Sequence, residues 1–206
     1  MTGRGGEMKC KETATVISNV LEKDNCACEV TPDDDEMIVR TEMEVECDFC
    51  RNFAVLFSVR DDDVQIRCSP RMTVKAGCRS AVAEYLMQIN YMLRYGKVVL
   101  DMHDGDIHYE YLKDVVAFST NALDAVKDMV AAAQFVSEHA MPGVYKIVSG
   151  IWTAQQAIDA YEKAMDGEGK DEDDSSSDAP SGFRPLSAED YIVNCEGPSY
   201  PLMECT

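Results

Sequence analysis

Between Met37 and Cys47 the chain alternates apolar and polar side chains, with Ile38 and Thr41 as the exceptions. Met37, Val39, Thr41, Met43, Val45 and Cys47 share one parity, while Arg40, Glu42, Glu44 and Glu46 share the other. Successive side chains of a strand point to opposite faces, so this segment can bury one face and solvate the other. Wound as a helix, the same residues would carry glutamates into the core. The pattern returns at Phe53, Val55, Phe57 and Val59, and again at Val64, Ile66 and Cys68. Asp33-Asp-Asp precedes the first run and Asp61-Asp-Asp separates the later two. Such spacing predicts an antiparallel three-stranded meander.

Helical periodicity surrounds these runs. Cys10, Ala14, Ile17 and Leu21 form a stripe over residues 8–22, with Val16 and Val20 beside it, and Lys23-Asp-Asn supplies stop signals. From Cys78 to Tyr95 the stripe is Val82, Leu86, Ile89 and Leu93, and Gly96 is read as the helix C-terminal glycine. Val98, Leu100 and Met102, then Asp104-Gly105, then Ile107, Tyr109 and Tyr111 read as a hairpin with a tight Asp-Gly turn. A longer helix is predicted over 120–139 around Leu123, Val126, Val130 and Ala133. Pro142-Gly143 interrupts it, and Trp152 to Met165 gives a last helix. Strands segregated from their covering helices mean an α+β fold: a twisted antiparallel sheet, meander plus hairpin, under helices.

Composition bounds the rest. At 206 residues with 46% hydrophobic content the chain suits one domain, residues 1–166, and an appendage, residues 167–206. Gly167-Glu-Gly-Lys-Asp-Glu-Asp-Asp-Ser-Ser-Ser-Asp is too polar to order itself and reads as an acidic linker. Phe183 to Thr206 regains Tyr191, Ile192, Val193, Tyr200 and Leu202, and reads either as a tethered docking peptide or as disorder. A net charge of −19 repels phosphate backbones and anionic lipid, so neither nucleic acid nor a membrane surface is an expected partner. Nothing reaches 18 consecutive apolar residues, and Met1 to Met8 lacks the apolar run of a secretory signal. A cytoplasmic location follows as the expectation. There the nine cysteines, odd in number and irregularly spaced, are expected to be thiols outside any disulfide framework.

One stretch carries a resemblance. Ala83-Glu-Tyr-Leu-Met-Gln-Ile-Asn90-Tyr-Met-Leu-Arg-Tyr-Gly96-Lys-Val leads into Val99-Leu-Asp-Met-His-Asp-Gly-Asp-Ile-His-Tyr-Glu-Tyr. Asn90, Gly96, Asp101, Asp104 and Gly105 match the helix-to-hairpin pattern of the bacterial YbjN-type family of sensory transduction regulators, which this chain resembles over roughly residues 8–165. Pro142 to Gly150 is similar to that family's closing helix. The resemblance implies a fold like that of type III secretion chaperones, and a protein-binding scaffold, homodimeric or not, without family-wide catalytic residues. The chain departs from the family in its cysteine and methionine content and its long tail, which leaves any inherited partner in doubt.

Several constellations carry candidate chemistry. Cys26-Ala-Cys28 with Cys47-Asp-Phe-Cys50 offers four thiolates for zinc. However, a strand of 11 residues separates its ends by roughly 35 Å, so the first pair must fold back along it. Cys47 and Cys50 also lie between strands, whereas redox Cys-x-x-Cys pairs open a helix. His103 and His108 flank the Asp104-Gly105 turn near Asp101 and Asp106, an arrangement read as solvated turn residues over an acid–base or metal site. His139 has no partner motif. Asp33-Asp-Asp, Asp61-Asp-Asp and the acidic run 171–174 lack calcium-loop spacing. Ser175-Ser-Ser suits an acid-directed kinase, or serves as a spacer. Met37, Met43, Met87, Met92 and Met102 fill the core or line an adaptable binding surface. No catalytic, cofactor or metal residue is therefore assigned. The expected function is a non-enzymatic protein-interaction module, with a metal- or redox-responsive regulator using Cys26, Cys28, Cys47 and Cys50 as the alternative.

Overall fold

Each alternating run forms a strand whose apolar parity faces a layer of helices. The computed structural model describes residues 3–45, 49, 51–167 and 202–203. In chain order the elements are α1 (Gly3–Lys23), β1 (Glu29–Asp33), β2 (Glu36–Glu44), β3 (Asn52–Val59), β4 (Asp63–Pro70), β5 (Thr73–Val74) and α2 (Arg79–Met92). There follow β6 (Lys97–Leu100), β7 (Ile107–Asp114), α3 (Val115–Thr120), α4 (Ala122–His139), α5 (Met141–Val148), α6 (Ala154–Gly167) and β8 (Leu202–Met203). Six strands make one antiparallel sheet in the order β1-β2-β3-β4-β7-β6, and β5 pairs in parallel with β8. The fold is α+β.

The core lies between one face of this sheet and the helices. Met37, Val39, Phe53, Phe57, Ile66 and Tyr109 come from the inward parity of the strands. Ile17, Leu86, Ile89, Met129 and Val144 meet them from the helices. Burying each such side chain contributes about 1.5–3 kcal/mol. The same alternation fixes register, because a one-residue slip would turn every inward side chain outward.

Where structure and sequence expectation differ, tertiary contacts account for it. The meander has four strands, because Glu29–Asp33 pairs with β2 from Glu29↔Arg40 to Asp33↔Glu36. The hairpin joins the same sheet, since β7 pairs with β4 as well as with β6. Asp104-Gly105 does not make a two-residue turn: Leu100 pairs with Ile107, leaving six loop residues, Asp101 to Asp106. That loop reaches across to β5, where the Val74 amide donates to Gly105 O at 2.8 Å. Only glycine fits there: it has φ +87°, and a Cβ would lie 1.9 Å from Val74 O. Two further helices occupy stretches that sequence periodicity left unassigned. α3 starts at Asp114, whose Oδ1 accepts from the amides of Val116 and Ala117 at 2.8 and 3.2 Å. α5 presses Gly143 against Tyr85, so closely that a Cβ would lie 2.4 Å from the hydroxyl oxygen.

Helix α2 ends earlier than its stripe suggests, and Gly96 is not its cap. Leu93 is the extended C-cap. The connection to the sheet is made by Asn90, whose amide nitrogen donates to Val98 O at 2.8 Å and whose Oδ1 accepts from the Val98 amide at 2.7 Å. One side chain thus satisfies both backbone groups of an edge residue. Gly96, at φ +66°, is needed because a Cβ would lie 2.6 Å from Glu110 O and 2.3 Å from the Tyr109 hydroxyl. That hydroxyl donates to Tyr95 O at 3.0 Å. Asn90→Ala should leave the Val98 amide and carbonyl without their partner and lower stability by about 1–3 kcal/mol. Urea melts followed by circular dichroism check this, and an unchanged midpoint would remove the assigned role.

Candidate functional site

The helices that contribute to the core pack against one parity of the sheet; the other parity is exposed only in part, since Ile38, Ser58 and His108 on it are buried. Its side chains follow from the pairing register. One row crosses five strands as Thr31, Ile38, Ser58, Gln65 and Leu112. The next crosses all six as Glu29, Arg40, Leu56, Arg67, Glu110 and Lys97. This second row carries charges of both signs, Arg40 and Arg67 flanking Leu56 and Glu110 standing beside Lys97, and cross-strand bonds hold several of them. Lys97 Nζ lies 3.0 Å from Glu110 Oε1, Gln65 Nε2 donates to Glu110 Oε2 at 2.9 Å, and an Arg40 guanidinium N–H donates to Thr31 Oγ1 at 2.7 Å. Apolar side chains punctuate the polar ones: Leu56 and Val99 are half-buried, and Leu112 is 49% exposed. A recess of about 420 Å³ borders this face at Gln65, Lys97, Glu110 and Leu112.

His108 belongs to this face. It is buried, its Nδ1 lies 3.0 Å from Asp106 Oδ2, and its Nε2 lies 3.7 Å from Glu110 Oε2. His103 does not join it: that residue is exposed in the β6–β7 loop, its amide donating to Asp101 Oδ1 at 2.6 Å. The loop's aspartates are engaged in shaping it, since Asp104 Oδ1 accepts from the Asp106 amide at 2.8 Å. Arg79 pins the same loop from below, donating to Val74 O at 3.0 Å and to the carbonyls of Met102 and His103 at 3.1 and 2.8 Å. His139, at the end of α4, makes an edge contact with Phe135 at 4.5 Å between centroids.

The cysteines divide into three groups. Cys26 and Cys28 are half-buried, Cys10 and Cys68 are buried, and none of the four is in a disulfide. Burial pushes the Cys28 thiol up, partly offset by a hydrogen bond with Thr41. Cys47 and Cys50 lie outside the described residues, and among the described residues no group of three or more His, Cys, Asp or Glu is arranged to hold a metal ion. Cys78 departs from the all-thiol expectation: it is fully buried and disulfide-bonded. The methionines also divide. Met37 is buried and Met43 and Met92 are half-buried, but Met87 and Met102 are 70% and 53% exposed.

Proximity in space reveals one arrangement that spacing along the chain could not. The two acidic turns, remote in sequence, border the same recess of about 830 Å³, with Asp34 and Asp35 on one side and Asp61 and Asp62 on the other. Arg60 bridges them, reaching Asp63 at 2.7 Å and Glu36 at 3.7 Å. The acidic run 171–174 and Ser175 to Ser177 lie outside the described residues.

Cys10 sits in that recess and donates its thiol proton to Asp61 Oδ1 at 3.2 Å. Burial, and then the Asp61 carboxylate, push this thiol from 9.0 up to about 11. The folded state therefore holds the proton more tightly than the unfolded chain. This contribution is fully present below pH 9.0 and is lost as pH rises toward about 11. Comparing urea melts of the natural chain and Cys10→Ala should give a stability difference that is flat below that window and shrinks through it. Compared with known proteins, the chain matches no family model and no curated protein, so its geometry carries the functional reading.

Proposed function

We propose that the domain is a non-enzymatic protein-interaction module of regulatory or chaperone-like type, related in kind to the YbjN-type family that its helix-to-hairpin segment resembles. The observation that supports this reading is the outer face of the six-stranded sheet around Leu56, Val99 and Leu112, where the Lys97–Glu110 ion pair stands among partly exposed apolar side chains. A partner meeting it gains apolar burial at Leu112, Val99 and Leu56 while the ion pair selects against the wrong register. Exposed side chains elsewhere add to the apolar contact area: Met87 and Tyr91 lie one helical turn apart on α2, and Tyr91 is 88% exposed. Polar groups of the face are bonded to one another, Lys97 and Gln65 to Glu110, beside a shallow recess of about 420 Å³. No helix among the described residues is long and apolar enough to cross a membrane.

Cross-linking of the full chain in extract, followed by mapping of the cross-linked peptides, tests the reading. A specific partner should cross-link next to the outer face, and Val99→Lys with Leu112→Lys should weaken its capture about tenfold without changing the circular dichroism spectrum. Absence of any partner on any surface would sink the reading.

The disulfide at Cys78 favours a second reading, a thiol-redox-responsive regulator. Peptide mapping of the purified chain with and without reductant should recover a cross-linked peptide that contains Cys78. A free Cys78 in protein isolated under rapid alkylation would dismiss it.

A further inference from the structure

We propose that the partner adds an extended, basic segment as a new strand along the free edge of β2 at Thr41–Glu44; this rests on the protein-interaction reading above and names the chemistry of the partner. The pairing of β1 with β2 ends at Glu29↔Arg40, yet β2 runs on for four more residues, paired with β3 from Thr41↔Val55 to Glu44↔Asn52. On the side away from β3, no backbone group of the described residues hydrogen-bonds to Thr41–Glu44. The preceding chain touches this edge through a side chain alone, Thr41 Oγ1 donating to Ala27 O at 2.8 Å.

Sheet edges in folded proteins are ordinarily blunted by proline, lysine, shortness or a covering element. The other edges here have those features. β1 carries Pro32 within its five residues, and β6 is four residues long, opens with Lys97 and packs beside α2. Thr41-Glu-Met-Glu has neither proline nor lysine, and although it too is four residues long its only charges are carboxylates. An open groove of about 1210 Å³ runs beside it, with Met43, Val55, Val130 and Cys28 among its apolar lining.

Charge selects the occupant. The groove is bordered by the carboxylates of Asp24, Glu29, Glu42 and Glu44; Glu42 is paired with Arg71, and the cation in the lining, Arg40, is engaged with Thr31, which leaves Asp24, Glu29 and Glu44 to set its sign. Glu42 and Glu44 lie two residues apart and so share the outward face, while Thr41 and Met43 share the inward one. An added strand with Lys or Arg at every second position, and apolar residues between, would meet carboxylates on one face and Met43, Val55 and Val130 on the other. A second copy of this chain pairing through the same edge would set glutamate against glutamate. The chain's own linker, with Glu168, Asp171, Glu172, Asp173 and Asp174, has the wrong sign as well. A basic segment of another protein remains.

The probe is a fluorescent peptide of about eight residues alternating Lys and Val, titrated into the full-length protein by polarisation and followed by amide hydrogen exchange. It should bind and protect the Thr41–Glu44 amides. An alternating Glu-Val peptide, and one with its lysines and valines in separate blocks, should not. Methylating alternate backbone nitrogens of the probe should abolish binding, and Asp24→Lys with Glu44→Lys should weaken it at least about tenfold with an unchanged melting curve. Three results would overturn the proposal: no binding, equal binding of the block peptide, or protection confined to another region. Protection of these amides without peptide would instead place a second copy or the chain's own tail on the edge, separated by its dependence on protein concentration, and either outcome also overturns it. If cross-linking still finds a partner on the outer face, only the edge assignment falls; if it finds none, the interaction reading falls with it.

Discussion

The sheet's inward parity is apolar from β2 through β7, and the rest of the structure depends on that continuity. Phe57, Ile66 and Tyr111 stand in one inward row, and Val55, Cys68 and Tyr109 in the next. A helix layer can cover such a face only if the register of every strand agrees, since one slipped strand would carry Arg67 or Glu42 inward at a cost of several kcal/mol. The outward parity is thereby left in part to solvent or to a partner. Core and candidate surface are two consequences of the same alternation.

Period two made β2, β3, β4 and the two hairpin strands legible from residues alone. β1 was not, because Glu-Val-Thr-Pro-Asp has no apolar alternation and none of its residues is buried; it exists because β2 offers it an edge. α3 is too short for its period to emerge, and α5 is hidden by Pro142-Gly143, a pair that reads as a stop but here begins a helix pressed onto Tyr85. Gly96 and Gly105 were legible as special residues, yet their reasons were not. A cap and a tight turn are local explanations, whereas the actual causes are Glu110, Tyr109 and Val74, which arrive from other strands.

The candidate surface was half legible for the same reason. Arg40, Glu42 and Glu44 announce an outward face, but which residues stand beside them depends on pairing with β3, β4 and β7. The open stretch of β2 depends on where β1 stops, and nothing in residues 29–33 marks that point against residue 40. Likewise the approach of Asp34 to Asp61 follows from two turns falling at the same end of the sheet. His103 and His108, neighbours in sequence, end up apart because one lies in a loop held by Arg79 and the other on a strand face.

An edge that repels its own copies is consistent with one that recruits a basic strand, because both effects come from Asp24, Glu29 and Glu44. Main-chain hydrogen bonds along an edge are indifferent to sequence, so they supply affinity with little discrimination. Discrimination must come from the side chains that flank the edge every second residue. Carboxylates exposed to water lose reach beyond roughly 8–10 Å at physiological salt. They therefore act on a strand already alongside far more than on a distant molecule. The charge of the whole chain works over a longer range and with the same sign, raising encounter with cationic partners and keeping copies apart. Attraction at a distance, spacing of the lysines at contact and burial against Met43 and Val130 are then separate filters. A highly basic but irregular segment passes only the first, and a regular apolar strand only the last.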